Sequence, residues 1–210
     1  MRTLMDQTYR GGFTAIVTPY SNDGTRIDFE GLRSLCEFQT KYGISGIVSV
    51  GTTGESPTLT WDEHIKTFQT TFNAVGSKAI VIASTGSNST AECLEGTEHA
   101  KEMGIRHVLL VDPYYNGPNS LEIRKEYLEP VASAYPDIAI IPYVIPGRSG
   151  TQVLAQDLAL AGEHDMIRIE HIAFSRASMA AGALLACKWI ASQEQPGIYS
   201  MKEVLGLTQP

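Results

Sequence analysis

The sequence is short of cysteine, of positive charge and of long apolar runs. Its three cysteines, Cys36, Cys93 and Cys187, form an odd and widely spaced set, each within a helical pattern. That excludes a disulfide framework and a thiolate metal cluster, and predicts reduced thiols in or near the core. Lys and Arg total 16 against 23 Asp and Glu, for a net charge of −7 and a pI near 5.2. Such a balance argues against nonspecific binding to nucleic acid or to anionic membranes. No apolar run approaches the roughly 20 residues of a membrane span. The opening, Met1-Arg2-Thr3-Leu4-Met5-Asp6-Gln7, has no apolar stretch of a secretory signal. The expected compartment is the cytoplasm, although a plastid form without its transit peptide would read the same.

What is present is enough for one real core: 210 residues, 43% hydrophobic and 19% charged. Short β-branched runs alternate with amphipathic segments of about 12 to 16 residues, the signature of βα units around a parallel sheet. Strands are predicted over 13–17, 46–50, 79–83, 107–111 and 138–143. Thr60 with Glu63, Ser89 with Glu92 and Asn119 with Glu122 each place a capping side chain three residues before a Glu, as in a capping box. Phe29, Leu32, Leu35 and Cys36 give the first helix one buried stripe, and Gly43 is placed to end it. The strands read apolar on both faces, which suits a barrel wall and a doubly wound sheet equally.

Three segments carry the chemistry. Gly46-Ile47-Val48-Ser49-Val50 runs straight into Gly51-Thr52-Thr53-Gly54-Glu55-Ser56. A buried-type strand ending in two glycines that bracket two hydroxyls gathers N–H and O–H donors at one point, which suits a small carboxylate. Downstream come Asp112-Pro113-Tyr114-Tyr115-Asn116 and Pro142-Tyr143-Val144-Ile145-Pro146-Gly147-Arg148-Ser149-Gly150. Thr52, Thr53, Tyr115 and Tyr143 all fall at or just past strand C-termini, where barrels and open sheets alike place their sites. The glycine-threonine loop lacks the Gly-Lys-Ser/Thr ending of a phosphate loop. Glu63-His64 and Glu98-His99 have no partner at metal spacing, so no metal is expected.

Together these segments resemble the dihydrodipicolinate synthase and N-acetylneuraminate lyase family of pyruvate-dependent class I aldolases. Within it the chain is most similar to the dihydrodipicolinate synthases, because the sialic-acid lyases more often carry Ser at the first hydroxyl position. The resemblance runs from about residue 11 to about residue 160. It implies an α/β fold of the (β/α)8 TIM-barrel type. A typical barrel has eight units in about 250 residues, whereas this chain offers five and a sixth strand candidate at 166–169, so the sixth to eighth units are expected to be largely absent. The expected organisation is a single incomplete barrel over 1–210, with a helical C-terminal segment at 175–210 that includes a helix at 177–191 and a short closing segment at 201–207.

The resemblance also implies roles. Tyr143 matches the proton-shuttling tyrosine, Thr52 its bridging hydroxyl and Tyr115 the tyrosine lent across a subunit interface. Thr53, with Gly51 beside it, matches the pyruvate-carboxylate ligand, and Arg148 the arginine that receives the second substrate's carboxylate. Ser56, Trp61, His64, Asn88, Glu92 and Tyr114 match positions that bind feedback L-lysine. The implied reaction condenses pyruvate with L-aspartate 4-semialdehyde to 4-hydroxy-tetrahydrodipicolinate in diaminopimelate and lysine biosynthesis. It needs no cofactor and runs in a homodimer or homotetramer. A keto-deoxy sugar-acid or sialic-acid aldolase is the alternative within the enzyme class.

The imine-forming lysine is the departure. Such an amine must be deprotonated near neutrality, a shift from about 10.4 that costs on the order of 4 to 5 kcal/mol. The family places it on the sixth strand, and counting forward from Tyr143 reaches Ile167-Arg168-Ile169-Glu170-His171, which contains no lysine. Of the seven lysines, Lys41, Lys66, Lys101, Lys125, Lys188 and Lys202 fall in or at the ends of helical patterns, and Lys78 precedes a strand on the opposite barrel face. No Schiff-base residue is therefore assigned. A truncated, catalytically inactive paralogue with a binding or regulatory role is the alternative from outside the enzyme class.

Overall fold

The computed structural model describes Tyr9, residues 11–154, Asp157 and Trp189. The chain divides into two compact units, Met1–Met166 and Ile167–Pro210, and the architecture that follows is that of the first. The sequence expectations at 166–169, 177–191 and 201–207 and those for Cys187, Lys188 and Lys202 lie outside the described residues. None of the helices among the described residues is long and apolar enough to cross a membrane.

Five parallel strands form one sheet in chain order: β1 (Phe13–Ala15), β2 (Gly46–Ser49), β3 (Ile80–Ser84), β4 (His107–Val111) and β5 (Ala139–Tyr143). Between them run α1 (Phe29–Lys41), α2 (Trp61–Val75) and α3 (Thr90–Glu102). The fourth connection is a composite of α4 (Ser120–Glu122), a π-helical stretch Ile123–Leu128 and α5 (Glu129–Ala134), and α6 (Pro146–Ser149) follows β5. A strand order that advances in one direction is that of a barrel wall; a doubly wound sheet would reverse at a switch point.

The register sorts the strand residues onto two faces. Ile47, Ser49, Val81, Ala83, Val108 and Leu110 are buried on one face. There the apolar members join a core with Leu32 and Cys36 of α1, Phe68 and Val75 of α2, Cys93 and Ala100 of α3, and Ile123, Tyr127 and Leu128 of the π-helical stretch. Buried hydroxyl pairs cross the same layer, Ser49 with Thr71 at 3.1 Å and Thr85 with Thr97 at 3.0 Å, so these polar groups are not left unsatisfied. The other face carries Val48, Leu109, Val111, Ile141 and Tyr143, all only half-buried, as expected of the inner wall of an unclosed barrel. Cys36 and Cys93 are buried free thiols, and burial pushes each up to about 11.

Helix starts follow from local chemistry. Thr60 and Asn119 form complete capping boxes with Glu63 and Glu122, and Asp28 caps α1 by accepting from the Gly31 N–H at 2.9 Å. The box expected at Ser89 forms only in half. Its hydroxyl accepts from the Glu92 N–H at 3.4 Å, but the Glu92 carboxylate turns aside to accept from Ser87 Oγ at 2.5 Å. Gly43 follows α1 at φ +77°, as its position in the sequence suggests.

Candidate active site

The site grows out of the end of β2. Val50 is fully buried and sits at φ +55°, a conformation that costs a β-branched residue about 1–3 kcal/mol and persists only where packing enforces it. It turns the chain from the strand into the 3₁₀ turn Thr52–Gly54. The end of β1 is fastened to this turn: Ile16 N–H donates to Val48 O at 3.1 Å, and Thr18 Oγ1 donates to Gly54 O at 2.8 Å. Gly54 makes the approach possible, since a Cβ there would lie 3.2 Å from both Ile16 O and Thr18 Oγ1. The turn bonds the Gly54 N–H to Gly51 O and the Glu55 N–H to Thr52 O, which leaves the Thr52 and Thr53 N–H groups without an acceptor among the described residues.

A cavity of about 210 Å³ opens at the C-terminal ends of the strands. It brings together Gly51 and Thr52 after β2, Ser84 and Gly86 at the end of β3, Leu109 and Val111 of β4, and Tyr143 of β5. Its far side is made by Ser56, Trp61, His64, Asn88, Glu92 and Tyr114. Nine of the residues singled out in the sequence therefore share this cavity. Thr53 is exposed in the turn, and Arg148 sits exposed in α6; neither lines it. Tyr115 is 83% exposed and borders a separate cavity of about 260 Å³ with Asn88, Asn116, Glu122 and Glu126.

Several groups are committed before any ligand arrives. Asn88 Oδ1 accepts from the N–H groups of Tyr114 and Tyr115 at 2.7 and 2.9 Å, so it shapes the tyrosine loop and leaves only its NH₂ free. His64 Nε2 donates to Ser56 O at 2.9 Å, because a carbonyl only accepts; its buried Nδ1 is an acceptor without a partner among the described residues. The ring packs on Trp61 and Phe68, and burial holds it below its ordinary pKa and therefore neutral at pH 7. His107, at the opposite end of β4, is tied to Tyr9 Oη at 2.8 Å and is structural.

Ser84, Gly86, Ser87, Leu109 and Val111 were not singled out from the sequence, although they line the same cavity. The signal was available for Ser84, a polar residue at the C-terminal end of an otherwise apolar strand. Gly86 is required there, since an added Cβ would lie 2.4 Å from Val111 N.

A one-directional parallel sheet with a hydroxyl-lined cavity at its strand C-termini defines an α/β protein of the TIM-barrel type. The sequence model of the Dihydrodipicolinate synthetase family matches residues 8–169, and the chain belongs to that family. It is 43% identical over 162 residues to a 4-hydroxy-tetrahydrodipicolinate synthase of Geobacter metallireducens, covering 76% of this chain and 53% of that protein. Among solved structures it is similar to a dihydrodipicolinate synthase of Cyanidioschyzon merolae with lysine bound (TM-score 0.68, 38% identity, 71% of this chain and 50% of that one). It is also similar to the chloride-inhibited enzyme of Acinetobacter baumannii complexed with pyruvate (TM-score 0.69, 36% identity, 73% and 52%). The chain thus spans about half the length of the relatives it matches.

A second sequence model, Dihydrodipicolinate reductase, C-terminus, matches residues 143–205. The two matches overlap over 143–169, and beyond that only the reductase pattern continues. The stretch around His171, where the sixth-strand lysine was sought, lies at this crossover, and the segment 201–207, read above as the family's closing segment, falls within the reductase match or just past it.

Proposed function

We propose that this chain serves the lyase reaction of the 4-hydroxy-tetrahydrodipicolinate synthases, the aldol-type condensation of pyruvate with L-aspartate 4-semialdehyde, and contributes its pyruvate-binding half. The observation that carries this reading is the single cavity joining Gly51, Thr52 and Tyr143 from strands far apart in the sequence. The free N–H groups of Thr52 and Thr53 suit a carboxylate, and the hydroxyls of Thr52 and Tyr143 suit proton transfer. Arg148, outside this cavity, would meet the second substrate's carboxylate, and Tyr115 would act from an exposed position across an interface between copies in a cytoplasmic dimer or tetramer. The far side of the cavity suits L-lysine as an inhibitor: Glu92 for its ammonium groups and Trp61 as a wall for its stem.

A second reading is binding without turnover, and a specific observation favours it. None of the five described lysines lies at a strand C-terminus: Lys41, Lys66 and Lys101 are in helices, Lys125 is in the π-helical stretch, and Lys78 precedes β3. Borohydride treatment in the presence of pyruvate separates the two. This chain alone is expected to bind pyruvate yet leave the mass of every lysine peptide unchanged. A reduced pyruvyl adduct on any lysine would establish imine formation in this chain and identify the nucleophile.

A further inference from the structure

We propose that Ser84 is a ligand-binding residue of the cavity, its hydroxyl making a hydrogen bond to an oxygen of a bound small 2-oxo acid. The inference deepens the function proposed above and rests on it. Ser84 ends β3 on the inner face of the sheet, in register with Leu109, which lines the same cavity. It is only 7% exposed, and its Oγ has no hydrogen-bond partner among the described residues. Its neighbours differ: Ser49, at the end of β2, pairs with Thr71, and Thr85, the next residue along, pairs with Thr97.

A buried hydroxyl without a partner burdens folding, and such groups are few in native proteins. Here it borders a cavity whose other walls are already read as recognising a carboxylate and moving protons. A Cβ built on Gly51 would lie 3.5 Å from Ser84 Oγ, so the hydroxyl lies beside the turn that offers the Thr52 and Thr53 N–H groups. A ligand oxygen held at that turn would lie within reach of Ser84, which would then gain the partner it lacks.

The test uses the full chain and its Ser84→Ala variant, each titrated with sodium pyruvate by calorimetry and each unfolded in urea without ligand. A contact made only with ligand predicts a split result. The variant unfolds at the same urea concentration as the wild type or a higher one, and its pyruvate affinity falls roughly five- to tenfold. Equal pyruvate affinity in the two proteins would overturn the inference while leaving the proposed function intact. So would a lower unfolding midpoint for Ser84→Ala, because the hydroxyl would then serve the fold. Failure of the wild type to bind pyruvate would reject the proposed function, and this contact with it.

Discussion

Asp112 closes β4 with a fully buried carboxyl group that leads into Pro113-Tyr114-Tyr115. Oδ2 accepts from Thr151 Oγ1 at 3.2 Å, Thr151 in turn meets Ser149 Oγ at 2.7 Å, and Oδ1 has no partner among the described residues. Burial pushes the carboxyl up to about 6, only partly offset by the Thr151 hydroxyl. The groups near it bring no compensating charge: Tyr127 is raised well above its ordinary value, and Cys93, beyond it, to about 11, so both are neutral. In the unfolded chain the group titrates near 3.9. The folded state therefore holds its proton longer, and stability declines as pH rises from about 4 through about 6, then levels off. A shift of about two units corresponds to roughly 3 kcal/mol. Asp112→Asn should remove this dependence and gain about 1–3 kcal/mol above pH 6, with little difference near pH 4. Urea unfolding of both proteins across that range is the check; a pH-independent difference would mean that the carboxyl is not held neutral.

The helix starts differ in completeness, and that difference is measurable. The Thr60 box has both arms, with the Thr60 N–H donating to Glu63 Oε2 at 2.8 Å and the Glu63 N–H to Thr60 Oγ1 at 3.3 Å. The Ser89 cap has only its 3.4 Å arm. Thr60→Ala should thus cost about 1 kcal/mol, within the usual range for a lost cap, and Ser89→Ala less. The reverse order in urea unfolding would show that cap geometry does not govern these helices. Thr60→Ala should also weaken ligand binding at the far side of the cavity, because α2 carries Trp61 and His64 into it. β5 shows a different element-scale feature. Ala139 N–H donates to Arg106 O on the β4 side, so by alternation Pro142 places its nitrogen on the open edge. That edge lacks a donor where a sixth strand would pair, a common way of blunting an exposed strand.

For the molecule as a whole, the sheet is open: among the described residues β1 and β5 each pair on one side only. Among the described residues the inner wall leaves Val48, Leu109, Val111 and Ile141 half-buried, an apolar face that association would cover. With Pro142 blunting β5, covering that wall rather than extending the sheet is the expected mode of association. Light scattering at micromolar concentration should therefore report an oligomer, and a stable, well-folded monomer would refute this. The composite of sequence matches bears on activity at the same scale. The synthetase pattern reaches residue 169, and the reductase pattern extends to residue 205. The expected sixth-strand position, where the sequence has no lysine, falls where one pattern gives way to the other.

Local signals in the sequence determined the five βα units, because period, capping side chains and turn glycines act over three or four residues. They placed β1 to β5 within one or two residues, the largest difference being that β1 ends at Ala15 with Ile16 still bonded to Val48. They also determined that the hydroxyls stand at strand ends. What only the tertiary structure decided depends on pairing between distant strands. Strand order separated a barrel wall from a doubly wound sheet, two folds whose apolar patterning is the same. Register placed Tyr143 level with Val111 and put Gly51, Thr52 and Ser84 around one cavity, while Thr53, Tyr115 and Arg148 fell outside it. The raised pKa of Asp112, the orphaned hydroxyl of Ser84 and the use of Asn88 Oδ1 by the tyrosine loop arise from burial and partners contributed by other segments. No window of neighbouring residues contains that information.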